Sequence, residues 1–181
     1  MKKILFTLSA MTLLITANAQ EKKTENWSNG NKKSEGIIIG NPVDTSAPKE
    51  TQARQAVTII KDGKWTNWFE NGNVRTEEYY NKGSMTGNWK VWYDNGQLES
   101  DINFITGKSA HFHKNGKKQS EGGIADGMVN TGKWKGYHEN GNLNYEGSYS
   151  ANGQKEGVWN WYDETGKVTT IQTYLNGELV K

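Results

Sequence analysis

Beyond residue 56 the chain alternates apolar and polar residues with a period of two, and glycines interrupt the alternation at regular places. Five segments open at Gly63, Gly87, Gly107, Gly132 and Gly157: GKWTNWFENG, GNWKVWYDNG, GKSAHFHKNG, GKWKGYHENG and GVWNWYDETG. In each, a second glycine follows nine residues later, at Gly72, Gly96, Gly116, Gly141 and Gly166. After it an aliphatic residue recurs at the second position (Val74, Leu98, Leu143, Val168), an acid at the fifth (Glu77, Asp101, Glu121, Glu146) and a large apolar residue at the eighth (Tyr80, Phe104, Ile124, Tyr149, Tyr174). A fixed period is the mark of stacked supersecondary units. Each unit reads as two strands around an Asn-Gly turn, whose two residues both tolerate positive φ, so one unit is one β-hairpin.

The expected fold is all-β: an elongated array of tandem antiparallel hairpins, either a single-layer sheet or an open solenoid. Residues 57–181 form the five-unit domain. Residues 20–40 repeat half of the pattern, with Trp27, the Asn29-Gly30 turn, Glu35 and Ile38 in the matching places, and read as a degenerate first unit. Residues 41–56 hold both prolines, Pro42 and Pro48, and few large apolar residues, which predicts a linker. Val57 to Ile60 is expected to close one edge of the array, and Tyr174 to Val180 to cap the other. Along the first strand of each unit, Trp65, Trp89, Trp134 and Trp159 share one face, and Trp68, Trp92, Phe112, Tyr137 and Tyr162 the opposite one. The glycine-x-Trp column is expected to be the buried one. Val74 and Tyr80 are expected together on one face of the second strand, with Glu77 on the other. The third unit replaces the tryptophan by Ser109 and is expected to be the least stable or most specialised part of the array.

Composition sharpens this picture. With 8 Trp, 8 Tyr and 21 Gly but only 33% hydrophobic residues, large flat side chains must supply most of the buried area. The start Met1-Lys2-Lys3, the apolar run Ile4 to Ile15 and the small residues before Gln20 predict a signal peptide over residues 1–19, too short to span a bilayer. The protein is therefore expected to be exported, to the periplasm or beyond the cell, with no membrane insertion once the signal is cut. No cysteine is present, so export proceeds without disulfides. Subtracting Lys2 and Lys3 from 22 basic residues leaves 20 against 20 acidic ones, which argues against nucleic acid as a partner.

These residues resemble the variant MORN repeat (membrane occupation and recognition nexus) of bacterial proteins of the YwqK-like antitoxin family. The pattern is glycine-x-Trp, an aromatic pair, Glu/Asp-Asn-Gly, an aliphatic residue and an acid, as in Gly63, Trp65, Trp68, Phe69, Glu70, Asn71, Gly72, Val74 and Glu77. The resemblance implies a hairpin-repeat fold and an antitoxin-like or immunity role.

Nucleophile, phosphate-loop and metalloprotease signatures are all missing from the sequence, so no catalytic residue, cofactor or metal is expected. The recurring acids fit pairing with a neighbouring strand's lysine better than glycoside chemistry, because repetition answers a structural need. His111, His113 and His138 are the only histidines and form a candidate patch, loosely spaced for metal ligation. The candidate binding face is the column Trp68, Trp92, Phe112, Tyr137 and Tyr162. A protein partner on that column is the first expectation and a glycan or cell-wall polymer the alternative.

Overall fold

The computed structural model describes residues 20–40 and 59–180. The expected signal peptide and linker lie outside the described residues. Thirteen strands follow in chain order: β1 (Gln20–Asn26), β2 (Lys32–Gly40), β3 (Ile59–Trp68), β4 (Val74–Asn81), β5 (Ser84–Trp92), β6 (Leu98–Asn103), β7 (Lys108–Phe112), β8 (Lys118–Ala125), β9 (Val129–Tyr137), β10 (Leu143–Tyr149), β11 (Lys155–Tyr162), β12 (Val168–Leu175) and β13 (Glu178–Leu179). They form one open antiparallel sheet in which each strand pairs only with its chain neighbours. The only helical piece among the described residues is a 3-10 turn at Asp126–Met128. β2 pairs with β3, so the half unit is the first hairpin of the same sheet.

Three sequence expectations change here. Ile59 and Ile60 do not close an edge: they begin β3 and pair with Gly40 and Ile39, while Val57 and Thr58 lie outside the described residues. The Asn-Gly turns do not use two positive φ values. Gly72 is at φ 91 and Asn71 is not among the positive-φ residues, so the turn is a three-residue loop closed by Gly72 N–H to Phe69 O and Phe69 N–H to Asn73 O. The third change concerns Val74. In β3–β4 Asn67 faces Thr76 but Trp68 faces Val74, so Arg75 is an extra residue, and the bulge turns Val74 to the Glu77 side, away from Tyr80.

The turn asparagines instead join hairpin to hairpin. Each donates its side-chain N–H to a carbonyl in the next turn: Asn29 to Glu70 (3.1 Å), Asn71 to Asp94 (3.3 Å), Asn95 to Lys114 (3.5 Å), Asn115 to Glu139 (3.0 Å) and Asn140 to Glu164 (3.0 Å). The last of these turns carries Thr165 instead, and among the described residues no further turn lies beside it to receive a donor. Asn115→Ala, which also removes the acceptor of the Lys117 N–H at 2.9 Å, is expected to cost about 1–3 kcal/mol, the net worth of two such bonds, whereas Thr165→Asn should leave the urea midpoint nearly unchanged.

The core lies on the glycine-x-Trp face, and one register rule builds it. Gly36, Gly122 and Gly147 occupy the sixth place after their turns, and the tryptophan of the next unit lies on each of them. A Cβ on any of the three would stand closer than 3.0 Å to the indole of Trp65, Trp134 or Trp159. With that space free the indole lies flat and its N–H reaches a backbone carbonyl: Trp65 to Ile37 (2.8 Å), Trp134 to Gly123 (2.9 Å), Trp159 to Ser148 (3.1 Å). These three tryptophans are 5%, 4% and 2% exposed, which sets them apart from Trp89. At Trp89 the sixth place holds Glu78; the indole is only half-buried and its N–H has no partner among the described residues. Before the third unit the sixth place is Ile102, and its cross-strand neighbour is Ser109, not tryptophan.

Backbone irregularity follows the same rule. Where a glycine-x-Trp strand enters the sheet it carries two extra residues, as where Glu35 pairs with Thr66 but Ile37 with Asp62. The same shift recurs at β4–β5, β8–β9 and β10–β11, and β6–β7, which lacks the tryptophan, has none. Gly63, at φ 64, supplies the left-handed residue that such a bulge needs.

Candidate functional site

Opposite the tryptophans is a charged face. Its central row runs straight across the sheet by cross-strand pairing: Glu35, Thr66, Glu77, Lys90, Asp101, Ala110, Glu121, Lys135, Glu146, Asn160 and Ile171. Acids from the second strands therefore meet bases from the first strands. Glu77 binds Lys64 at 2.6 Å, Asp101 stands 3.8 Å from Lys90, and Glu146 stands 3.9 Å from Lys135. Exposed pairs of this kind contribute at most about 1 kcal/mol each, so the row fixes register more than it stabilises.

Beside this row stands the candidate binding column. Trp68, Trp92, Phe112, Tyr137 and Tyr162 are all half-buried, and several are tied to the acid of the preceding hairpin. Tyr137 donates to Glu121 and Tyr162 to Glu146, each at 2.8 Å, while Lys32, paired with Glu35, lies 5.5 Å from the Trp68 ring. Burial first, and then the Glu121 carboxylate, push the Tyr137 phenol up to about 12. Bonds from Lys118 and then Tyr137 hold the Glu121 carboxyl below its ordinary value. Glu35 is held down to about 2, by Lys32 and then Lys22. Each acid of the column thus has a partner, which is the structural need its recurrence implied.

The histidines make two kinds of contact. His113 and His138 place Nε2 2.9 Å from the carbonyls of Tyr137 and Tyr162, extending a series that begins with Trp27 donating to Trp68 O at 3.2 Å and includes Tyr93 donating to Phe112 O at 2.9 Å. His111 lies on the tryptophan face, 3.0 Å from Ser109 Oγ and stacked 6.4 Å from Trp134, and burial lowers its pKa. No group of three or more His, Cys, Asp or Glu side chains suited to a metal occurs among the described residues.

Hollows open on the surface of the described residues. A smaller one of about 360 Å³ lies near the first hairpins, and its floor includes Glu78. Burial opposes ionisation of Glu78, yet bonds from Lys61, Tyr80 and Thr76 outweigh it and keep the carboxyl below its usual range. The larger groove, about 800 Å³, crosses the charged face at the third unit. Asp101, Ala110, Phe112, Glu121, Lys135 and Tyr137 line it, together with Asn88, Asn103, Lys108, Gly123 and Lys133. It exists because Ala110 stands in the row where Lys90 and Lys135 stand in neighbouring hairpins, and because Gly123 has no side chain. A Cβ on Gly123 would meet Thr131 O at 2.6 Å, so the backbone itself keeps that position bare.

The hairpins, their two-faced register and their connecting ladders define a repeat family. Four of the units match the MORN repeat variant. The matched residues are 61–82, 85–106, 130–151 and 155–176, which leaves the third unit outside the match. That unit is the one with Ser109, the unbulged junction and the groove. No curated protein and no solved structure matches the chain. MORN repeats are commonly modules that bind proteins or membranes. No helix among the described residues is long and apolar enough to cross a membrane.

Proposed function

We propose that the protein is an exported, non-catalytic interaction scaffold, and that its charged face receives a protein partner along Trp68, Trp92, Phe112, Tyr137 and Tyr162. The observation that carries this reading is the contrast between the faces. Trp65, Trp134 and Trp159 are buried in the sheet's own core, whereas the opposite column stays half-exposed, with Tyr137 and Tyr162 held in place by Glu121 and Glu146. Fixed, partly exposed aromatics are the side chains that carry most binding energy at protein interfaces. Export rests on the signal-like residues 1–19. Together with the antitoxin resemblance, it points to an immunity role against a toxin met outside the cytoplasm.

A photo-crosslinking residue at position 92 is expected to capture a partner from periplasmic or culture fractions, while the same residue at Val91, on the tryptophan face, captures none. Adducts from both positions, or from neither, contradict the reading. Amino-terminal sequencing of the same material should begin at Gln20.

A further inference from the structure

We propose that the groove over the third unit is a binding site for an acidic oligosaccharide, a chain of sugar rings that carries carboxylates. Three departures from the repeat meet at this place. Ala110 interrupts the charged row, Gly123 leaves the next strand bare, and the unit follows its predecessor by the tight turn Phe104 to Gly107, whose N–H groups at Ile105 and Thr106 are fixed by Asn103. The resulting groove of about 800 Å³ falls within the range of about 300–1,000 Å³ typical of ligand sites.

Its walls differ in chemistry. One is aromatic: Phe112 and Tyr137 stand two strands apart, roughly 9.6 Å at the ordinary strand spacing, a separation that suits two sugar units of a linear chain. Tyr137 is pre-set by its bond to Glu121, so little conformational freedom is lost when a ring stacks on it. The other wall carries Lys108 and Lys133. Both are exposed, and neither makes an ion pair among the described residues. Elsewhere on this face Lys64, Lys90, Lys118 and Lys135 all stand within 2.6–3.9 Å of an acid. Two uncommitted ammonium groups across from two aromatic faces select a ligand that is both ring-shaped and anionic. Asp101, only loosely held by Lys90, remains free to accept from hydroxyls. An extended peptide fits less well, because the groove lies in mid-sheet, where both edges of each strand are already paired and no backbone is left for a peptide to bond.

The groove shares Phe112 and Tyr137 with the proposed protein-binding column, but Trp92, the crosslinking position, does not line it, so a failure of sugar binding and a failure of crosslinking are separate outcomes. The test is calorimetric titration of the mature full chain with a galacturonic acid trimer, its methyl ester and an aspartate tripeptide. The acidic trimer should bind, with the ester and the tripeptide each at least about tenfold weaker, a difference of about 1.4 kcal/mol. Ala110→Lys should also weaken binding about tenfold or more, a change of the same size. Bulk electrostatics predicts the opposite for this variant, since it adds a positive charge. Lysine is the array's own residue at that row in neighbouring hairpins, so the variant should melt like the parent. Should it not, Lys108→Ala combined with Lys133→Ala, both at exposed sites, must abolish the preference for acid over ester. No binding at millimolar trimer, equal binding of the ester or the tripeptide, or full binding by Ala110→Lys would overturn the proposal.

Discussion

Gly147→Val is expected to destabilise the protein by about 3–5 kcal/mol, as much as truncating a buried tryptophan, although the glycine touches no ligand. The reason is the Trp159 indole, which occupies the space of the missing side chain and is 2% exposed. It cannot slide aside. Tyr149 and Tyr174 meet it edge-on at 5.0 and 6.5 Å, Tyr145 and Trp161 stack at 5.9 Å each, and the Lys155 ammonium lies 4.6 Å from its centre. A valine there must eject the indole, losing its burial, its bond to Ser148 O and these ring contacts together. Combining Gly147→Val with Trp159→Ala should therefore cost little more than either change alone, a non-additivity that a double-mutant cycle reads directly. Gly96→Ala is the control. A Cβ there meets nothing within 4 Å, so only the φ of 84 is strained, and the cost should be on the order of 1–2 kcal/mol.

The second large effect is acid sensitivity. Glu35, Glu78 and Glu121 all have carboxyl pKa values lowered from 4.5 by folding, to about 2 in Glu35. A lowered native pKa means that the unfolded chain binds the proton first, so the stabilisation is complete above pH 4.5 and is lost as pH falls towards 2. The urea midpoint should fall steeply across that window. Glu78 is the most buried of the three, 7% exposed, and bonds Lys61 at 2.9 Å. Glu78→Gln leaves Lys61 without its counter-charge and should cost roughly 1–3 kcal/mol at neutral pH while flattening the acid limb. Tyr137 works with the opposite sign. Its pKa is raised from 10.0 to about 12, so its contribution is complete below pH 10 and lost as pH climbs to 12. A midpoint that stays level from pH 5 to pH 2.5 contradicts the assignment of these carboxylates.

Much of this architecture is legible in the sequence because the signals are local. Paired glycines nine residues apart, alternating strands and turn residues give the hairpins, their order and the two aromatic columns. What could not be read depends on register between hairpins. The pairing of Gly36 with Trp65, or Gly147 with Trp159, links residues of different units, and becomes visible only when the sixth place after each turn is set against the next unit's tryptophan. Read that way, the chain is consistent with itself: glycine accompanies a buried tryptophan, Glu78 a half-buried one, Ile102 none. Bulges defeat simple alternation for a similar reason, since one extra residue at Arg75 turns Val74 to the other face. The turn asparagines were visible but their role was not, because the ladder they form runs to a carbonyl that local sequence does not specify. The histidines illustrate the converse. His113 and His138 share a repeat position, and that position bonds a neighbouring carbonyl whether it holds tryptophan, tyrosine or histidine. The groove left one clear trace, the Ser109 and Ala110 departures in the third unit, though only the cross-strand row shows that Ala110 opens the charged face.

The most direct test of the two-faced array compares urea melts of Trp159→Ala and Trp92→Ala. The first should lower stability by about 3–5 kcal/mol and the second by clearly less, with similar slopes for both. Equal losses, or a larger loss for Trp92→Ala, would contradict the assignment of the glycine-x-Trp face as the core and remove the basis for a binding surface opposite it.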